Sequence, residues 1–138
     1  MLSHRKTQRA QKTESNKMKR IFICSPYSGN IRENVTTAQA MCKLAIKHGY
    51  APFAPHLLYP QLLDDTNPNQ RGKGMSCGRA FLAVCNEVWQ LDVPPTIGME
   101  EELAFAHLLQ IPVKKFEIKQ IDVSTLGEAS MITCCSAL

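Results

Sequence analysis

The segment best suited to carry chemistry is TIGMEEELAFAHLLQIPV, residues 96–113, which is predicted to contain a helix. At about 100° per residue, its apolar side chains form one stripe: Met99, Leu103, Ala106 and Leu109. Glu102 falls inside this stripe, whereas Glu100 and His107 fall on the opposite, solvent-facing side. A carboxylate among apolar side chains loses solvation and must be neutralised, paired or used, so Glu102 is the first candidate catalytic residue. The alternative is that the glutamates only complement the helix dipole.

A catalytic carboxylate at this position needs hydrogen-bond donors. Burial raises the pKa of a carboxyl group, and a nucleophile must be ionised at neutral pH. We therefore expect Ser25, Tyr27 or backbone N–H groups to hold the Glu102 anion if the residue is functional.

The composition is typical of one globular domain with a basic leader. The chain has 138 residues, of which 44% are hydrophobic and 20% are charged. Residues 1–20 carry seven Lys or Arg and one acid, whereas the remainder carries nine basic and eleven acidic residues. We expect residues 1–19 to be a disordered basic tail that folding does not need. With no signal peptide and no membrane-spanning run, we expect a cytoplasmic protein without membrane or nucleic-acid partners.

Strand and helix patterns alternate from residue 20 onward. Strands are predicted at 20–25, 50–55, 87–92 and 112–116, and helices at 31–48, from Asn67 or Asn69 to about 84, and in the Glu102 segment to about 109. This order predicts a three-layer α/β fold, a flavodoxin/Rossmann-like parallel sheet of four to five strands with helices on both faces. The domain is expected to span residues 20–116, and residues 117–138 to form a poorly ordered C-terminal tail.

The candidate binding residues follow the predicted strands. In such a sheet, ligands bind beyond the carboxyl ends of the strands, near the switch in strand order. The first strand leads into the turn Ser25, Pro26, Tyr27, Ser28, Gly29 and Asn30, whose backbone N–H groups suit a phosphate or a sugar hydroxyl. The alternative is a plain Pro/Gly turn with an Asn cap. The second strand is followed by His56, Asp64 and Asp65. The six cysteines show no metal-ligand spacing, so no metal and no cofactor are expected.

Four segments resemble a known family. CSPYSGN, APFAPHLLYPQLLDD, NEVWQLD and GMEEELAFAHLLQIPV, within residues 20–116, resemble the DUF4406 proteins of the nucleoside 2-deoxyribosyltransferase-like superfamily. In that superfamily the nucleophile follows a glycine by four positions, and Gly98 and Glu102 match this spacing. The GMxxE segment adds Met99 to the substrate-binding candidates. The chain differs at Thr96, where the superfamily often has an aspartate, and at Asn86, where DUF4406 relatives usually have one.

The resemblance implies a function and leaves an alternative. It implies cleavage or transfer at the N-glycosidic bond of a nucleoside or nucleotide, with Glu102 attacking the anomeric carbon. Tyr27 would then shape the pocket, and Ser25, Ser28 and Gly29 would lie near a phosphate or hydroxyl. The alternative is a nucleotide-binding or sequestering protein of the same fold without turnover. The resemblance also implies a homodimer or higher homo-oligomer, and the leucine-rich segment at residues 57–63 either joins the core or meets a partner.

Overall fold

The computed structural model describes residues 17–118 with their side chains and residues 132–137 as a backbone strand. The strands are β1 (Arg20–Cys24), β2 (Ala51–Phe53), β3 (Glu87–Leu91), β4 (Val113–Ile118) and β5 (Ile132–Ala137). The helices are α1 (Ile31–Lys47), α2 (Pro68–Leu82) and α3 (Ile97–Leu108). Two single turns of 3-10 helix, Pro55–Leu57 and Tyr59–Gln61, connect β2 to α2. Most of the basic tail, residues 1–16, lies outside the described residues, so its disorder stays a prediction.

The strands form one sheet in the order β2-β1-β3-β4-β5. β1 to β4 pair in parallel, and β5 pairs antiparallel with β4. The predicted α/β class is therefore confirmed, with the strand order reversing between β1 and β3. No strand was predicted beyond residue 116, because ITCCSA shows no clear period. An antiparallel edge strand is held by its backbone hydrogen bonds, which leave little trace in side-chain pattern. Residues 119–131 and 138 of the predicted C-terminal tail lie outside the described part.

Helices cover both faces of the sheet. Successive residues of β1 point to opposite faces, so Ile21 and Ile23 pack with α1, whereas Phe22 and Cys24 pack with α2 and α3. The side chains of β1 and β3 are buried throughout except at Arg20, as expected for central strands of a covered parallel sheet. Cys24 therefore ends β1 directly beneath the helix that carries Glu102.

At the helix ends, the predicted caps agree with the structure, whereas the burial of apolar residues does not. Asn30 caps α1 as predicted, because its side chain accepts a hydrogen bond from Glu33 N, and Asn67 rather than Asn69 caps α2. Two apolar residues at the ends of predicted helices are exposed: Ile31 at 48%, and Leu109, which was assigned to the apolar stripe of α3, at 41%. Both lie at a helix end, where the apolar stripe runs past the sheet it packs on. None of the helices in the described residues is long and apolar enough to cross a membrane.

The leucine-rich segment divides between the two environments that the sequence left open. Leu57 packs against the core cluster beside α1, and Leu63 lies against Gly74 of α2. Leu58 and Leu62 are exposed, at 44% and 68%. Leu57 and Leu63 therefore pack against other parts of the protein, whereas Leu58 and Leu62 form an apolar surface.

Candidate functional site

A cleft lies beyond the carboxyl ends of β1, β2 and β3, at the switch in strand order. Its cavity volume is about 90 Å³, several times the roughly 10–15 Å³ that one water needs on the same measure. Seven of the predicted site residues line it: Ser25, Tyr27, Ser28, His56, Gly98, Met99 and Glu102. The expectation that binding residues lie beyond the carboxyl ends of the strands therefore grouped residues that follow three different strands.

Glu102 projects into this cleft from the second turn of α3. Burial raises the pKa of Glu102 to about 8, a hydrogen bond from the Cys24 thiol lowers it, and the charge of Glu101 raises it. The carboxyl is therefore mostly protonated at neutral pH in the ligand-free protein. The predicted donors do not hold the anion, because within residues 17–118 no hydrogen bond joins the Glu102 carboxyl to Ser25, to Tyr27 or to a backbone N–H. Glu100 and His107 are exposed, as the helical pattern predicted.

Cys24 connects the end of β1 to α3. Its side chain is completely buried, and its Sγ lies 3.9 Å from the carbonyl oxygen of Met99. Burial raises the pKa of the Cys24 thiol, and the neighbouring Glu102 raises it further. The thiol therefore stays protonated; it donates to the carbonyl oxygen of Met99 and contacts the Glu102 carboxyl. No sequence rule assigned Cys24 to the site, because the contact joins residues 78 positions apart.

His56 forms a second polar pair in the cleft. Its Nε2 lies 3.1 Å from Ser25 Oγ, and its ring centroid is 6.0 Å from that of Tyr27. Burial lowers the pKa of His56 to about 4, so the imidazole is neutral at pH 7. A neutral imidazole has one donor and one acceptor nitrogen, which suits hydrogen bonding to an uncharged base or sugar. His56 reaches this position because β2 ends in the turn Pro55–Leu57.

Three predicted residues of the turn after β1 shape the loop instead of lining the cleft. Pro26, Gly29 and Asn30 do not line the cavity. Gly29 has a φ of +100°, which permits the sharp turn, and Asn30 is occupied as the cap of α1. Asn34 in the first turn of α1 donates from its Nδ2 to the carbonyl oxygens of Tyr27 and Ser28 and so holds the loop against the helix.

Asp64 is also outside the cleft. Its Oδ1 accepts hydrogen bonds from the backbone N and the Oγ1 of Thr66, a local turn contact that lowers the pKa of the carboxyl. The neighbouring Asp65 lines the cleft instead. A loop has no period, so the sequence could not decide which of two adjacent aspartates faces inward.

The main part of the cleft that sequence reasoning missed is the wall formed by α2 and the turn before it. This wall adds Tyr59, Pro60, Leu63, Gln70, Arg71, Gly74 and Met75. Position 74 of α2 lies against Tyr59 and Leu63, because a Cβ there would lie 3.6 Å from Tyr59 Cβ and 3.5 Å from Leu63 Cδ1, which is ordinary van der Waals contact. No sequence pattern indicated that this helix lines the cleft.

The two sequence differences have different positions in the structure. Thr96 lines the cleft and caps α3, because its Oγ1 accepts a hydrogen bond from Met99 N at 3.2 Å. Asn86 lies at the amino ends of β1 and β3, on the side of the sheet away from the cleft, where its Oδ1 accepts a hydrogen bond from Arg20 N at 2.7 Å. Only the Thr96 difference therefore bears on the site. Within the described residues, no group of three or more His, Cys, Asp or Glu could hold a metal ion.

Comparison with solved structures supports the fold. The chain is similar to 2-deoxyribosyltransferase from the psychrotolerant bacterium Bacillus psychrosaccharolyticus, with 16% identity and a TM-score of 0.57 over 75% of this chain and 76% of that one. It is also similar to 2-deoxyribosyltransferase from Leishmania mexicana, with 18% identity and a TM-score of 0.51 over 86% and 79%. At these identities the likeness shows a common fold. Comparison with curated proteins gives no match.

The family assignment differs from the one that the motifs suggested. A model of a domain of unknown function, DUF7768, matches residues 19–116, whereas the motifs pointed to DUF4406. Short motifs such as SPY and GMxxE contain too few residues to assign one family, whereas the family model is matched over residues 19–116. The match covers most of the chain and nearly the whole of the described domain, so this protein belongs to the DUF7768 family.

Proposed function

We propose that this protein cleaves or exchanges the N-glycosidic bond of a nucleoside or nucleotide, with Glu102 as the nucleophile. The observation that carries the proposal is a buried carboxyl group facing a small-molecule cleft at the strand-order switch. The similarity in fold to two 2-deoxyribosyltransferases supports the same chemistry. No metal or cofactor is required for it, since a carboxylate can form and release a glycosyl ester by itself.

The raised pKa of Glu102 defines a proton balance for this reaction. The resting carboxyl group carries the proton that a departing nucleobase needs. When Glu102 loses that proton and its oxygen bonds to the anomeric carbon, the bond from carbon to base nitrogen breaks and the base leaves protonated. Water or a second base then attacks the anomeric carbon, which releases the sugar from Glu102 and returns a proton to the carboxyl. The neutral His56 and Ser25 are hydrogen-bonding partners for the substrate.

A second candidate function is nucleotide binding without turnover. It is favoured by the absence of an aspartate at position 96 and by the mostly protonated state of Glu102. In that case the polar groups of the cleft would bind the ligand, and Glu102 would only donate a hydrogen bond.

One experiment separates the two functions. The full chain is incubated with a panel of nucleosides, nucleoside monophosphates and NAD, and free base is measured by chromatography. Under the proposed function, base is released and Glu102→Gln abolishes release while most of the binding affinity remains. Glu100→Gln, which makes the same carboxyl-to-amide change on the exposed face of α3, serves as the control and should stay active. Binding without any release of base would reject the catalytic proposal in favour of the binding protein.

A further inference from the structure

Among the described residues that line the cleft, Arg71 is a permanent cation that the proposed chemistry does not use. Arg71 lies in the first turn of α2, and its exposed side chain lines the cleft. Within residues 17–118, no salt bridge joins Arg71 to a carboxylate, although Asp65 and Glu102 line the same cleft. The other basic side chain there, His56, is neutral at pH 7 because burial lowers its pKa. A guanidinium is always charged and binds phosphate through paired N–H donors, so Arg71 is suited to an anionic group of the ligand.

The guanidinium lies beside the start of α3, one turn from the candidate nucleophile. A Cβ placed on Gly98 would lie 3.8 Å from Arg71 Nη2. Gly98 precedes Glu102 by four residues, which is about one helical turn of 5.4 Å along the axis. Arg71 does not contribute to the pKa shift of Glu102, which arises from burial, Cys24 and Glu101. The cation is therefore near the reacting carboxyl but is not its counter-ion.

This separation fits the two ends of a sugar. In a nucleotide, the 5′-phosphate and the anomeric carbon lie on opposite sides of the sugar ring, a span comparable with one helical turn. A sugar with its anomeric carbon at Glu102 can therefore place its 5′ end near Arg71. Ser28 lines the cleft on the turn after β1 and offers a hydroxyl donor to the same group. Asp65 is the competing charge, and without a cation it would repel a phosphate from this wall.

We infer that the substrate is a nucleoside 5′-monophosphate and that Arg71 binds its phosphate. The inference rests on the proposed function, because the position of the sugar is defined by attack at Glu102. It adds the substrate class and the residue that selects it.

Calorimetry on the full chain tests this inference. Glu102→Gln is used as the background so that ligands are not consumed, and the four common 2′-deoxynucleosides are compared with their 5′-monophosphates and with inorganic phosphate. We expect at least one monophosphate to bind roughly 10- to 100-fold more tightly than its nucleoside, as for charge-assisted hydrogen bonds. Arg71→Gln should bring this ratio close to one, and Arg71→Lys should restore part of it. The control is Lys73→Gln, which removes an exposed cation of the same helix outside the cleft and should keep the ratio.

Each other outcome overturns the inference. Equal affinity for nucleoside and monophosphate, a preference that survives Arg71→Gln, or equal loss with Lys73→Gln would each reject a phosphate site at Arg71. Inorganic phosphate binding as tightly as the nucleotide would show an anion site without nucleotide recognition, and no binding of any ligand would also reject the inference. The proposed function fails separately. Base release from nucleosides without phosphate preference removes only the role of Arg71, whereas Arg71-dependent binding without base release by the wild-type chain removes only the catalysis.

Discussion

Replacement of Glu102 by glutamine should stabilise the protein at neutral pH but not in acid. Burial, with Glu101 adding to it and Cys24 opposing it, raises the pKa of Glu102 from 4.5 to about 8. The folded chain keeps a proton that the unfolded chain releases above pH 4.5, so stability falls as the pH rises from 4.5 to about 8. Each pH unit in this window costs about 1.4 kcal/mol, which comes to about 3 kcal/mol at pH 7. Glutamine cannot ionise and avoids this cost.

Urea unfolding of the two chains, followed by circular dichroism at pH 4 and pH 7, measures the difference. We expect the stabilities to be similar at pH 4 and Glu102→Gln to be more stable by about 3 kcal/mol at pH 7. Glu100→Gln, on the exposed face of α3, should change stability by less than about 0.5 kcal/mol at either pH. A Glu102→Gln difference that does not depend on pH, or a loss of about 2 kcal/mol or more at pH 7, would refute the argument. The first result would mean that folding does not raise the pKa of Glu102, and the second that the folded protein stabilises the Glu102 anion.

Three other predictions concern stability and assembly. Burial would raise the pKa of Glu87, but Lys114 at 2.7 Å and Lys19 lower it, so the stability that Glu87 contributes is present at neutral pH and lost in acid. Glu87→Gln should therefore reduce the free energy of unfolding by about 1.5–3 kcal/mol at pH 7, with a smaller effect near pH 3 in the same urea assay. Thr96→Ala should cost about 1 kcal/mol in thermal or urea unfolding, because α3 loses its cap. Light scattering should show a homodimer at micromolar concentration, and Leu62→Asp should dissociate it, because Leu62 is 68% exposed.

Matched variants show what would contradict these three predictions. Glu117→Gln removes an exposed carboxylate of β4 and should be silent, so an equal loss there would reject a specific role for Glu87. Thr96→Ser keeps the capping oxygen, and a loss as large as that of Thr96→Ala would reject the cap. Leu108 is 75% exposed on α3, so dissociation by Leu108→Asp but not by Leu62→Asp would move the interface to that helix. A clean monomer would reject self-association.

Local periodicity predicted the helices and the strands because their apolar faces repeat within a few residues. Met99 and Ala106 are buried as the stripe of α3 required, and Asn30 caps α1 as its position before an apolar run required. The same rule misplaced Leu109, since a pattern cannot show how far the supporting sheet extends. The periodicity of the sequence also gave no indication of β5, whose pairing with β4 depends on backbone hydrogen bonds.

The expectation that binding residues lie beyond the carboxyl ends of the strands predicted the central part of the site because it requires only the order of the elements. Ser25, His56 and Glu102 follow three strands that the topology brings to one edge, so the sequence was enough to group them. The sequence was not enough to predict that α2 and the turn before it form one wall of the cleft. Arg71 and Gly74 line the cleft because a helix packs across the sheet, and that packing depends on contacts between distant residues.

By itself, the sequence determined the class of fold, the end of the strands at which the cleft lies and the carboxyl group that lines it. These properties follow from short-range patterns and from the direction of parallel strands. Only the tertiary structure decided the chemical state of that acid. The pKa of Glu102 depends on its burial in the cleft and on Cys24, which is distant in the chain but adjacent in space. Solvation and hydrogen bonding depend on all the atoms around a group, so a pattern along the chain can nominate Glu102 but cannot determine its charge.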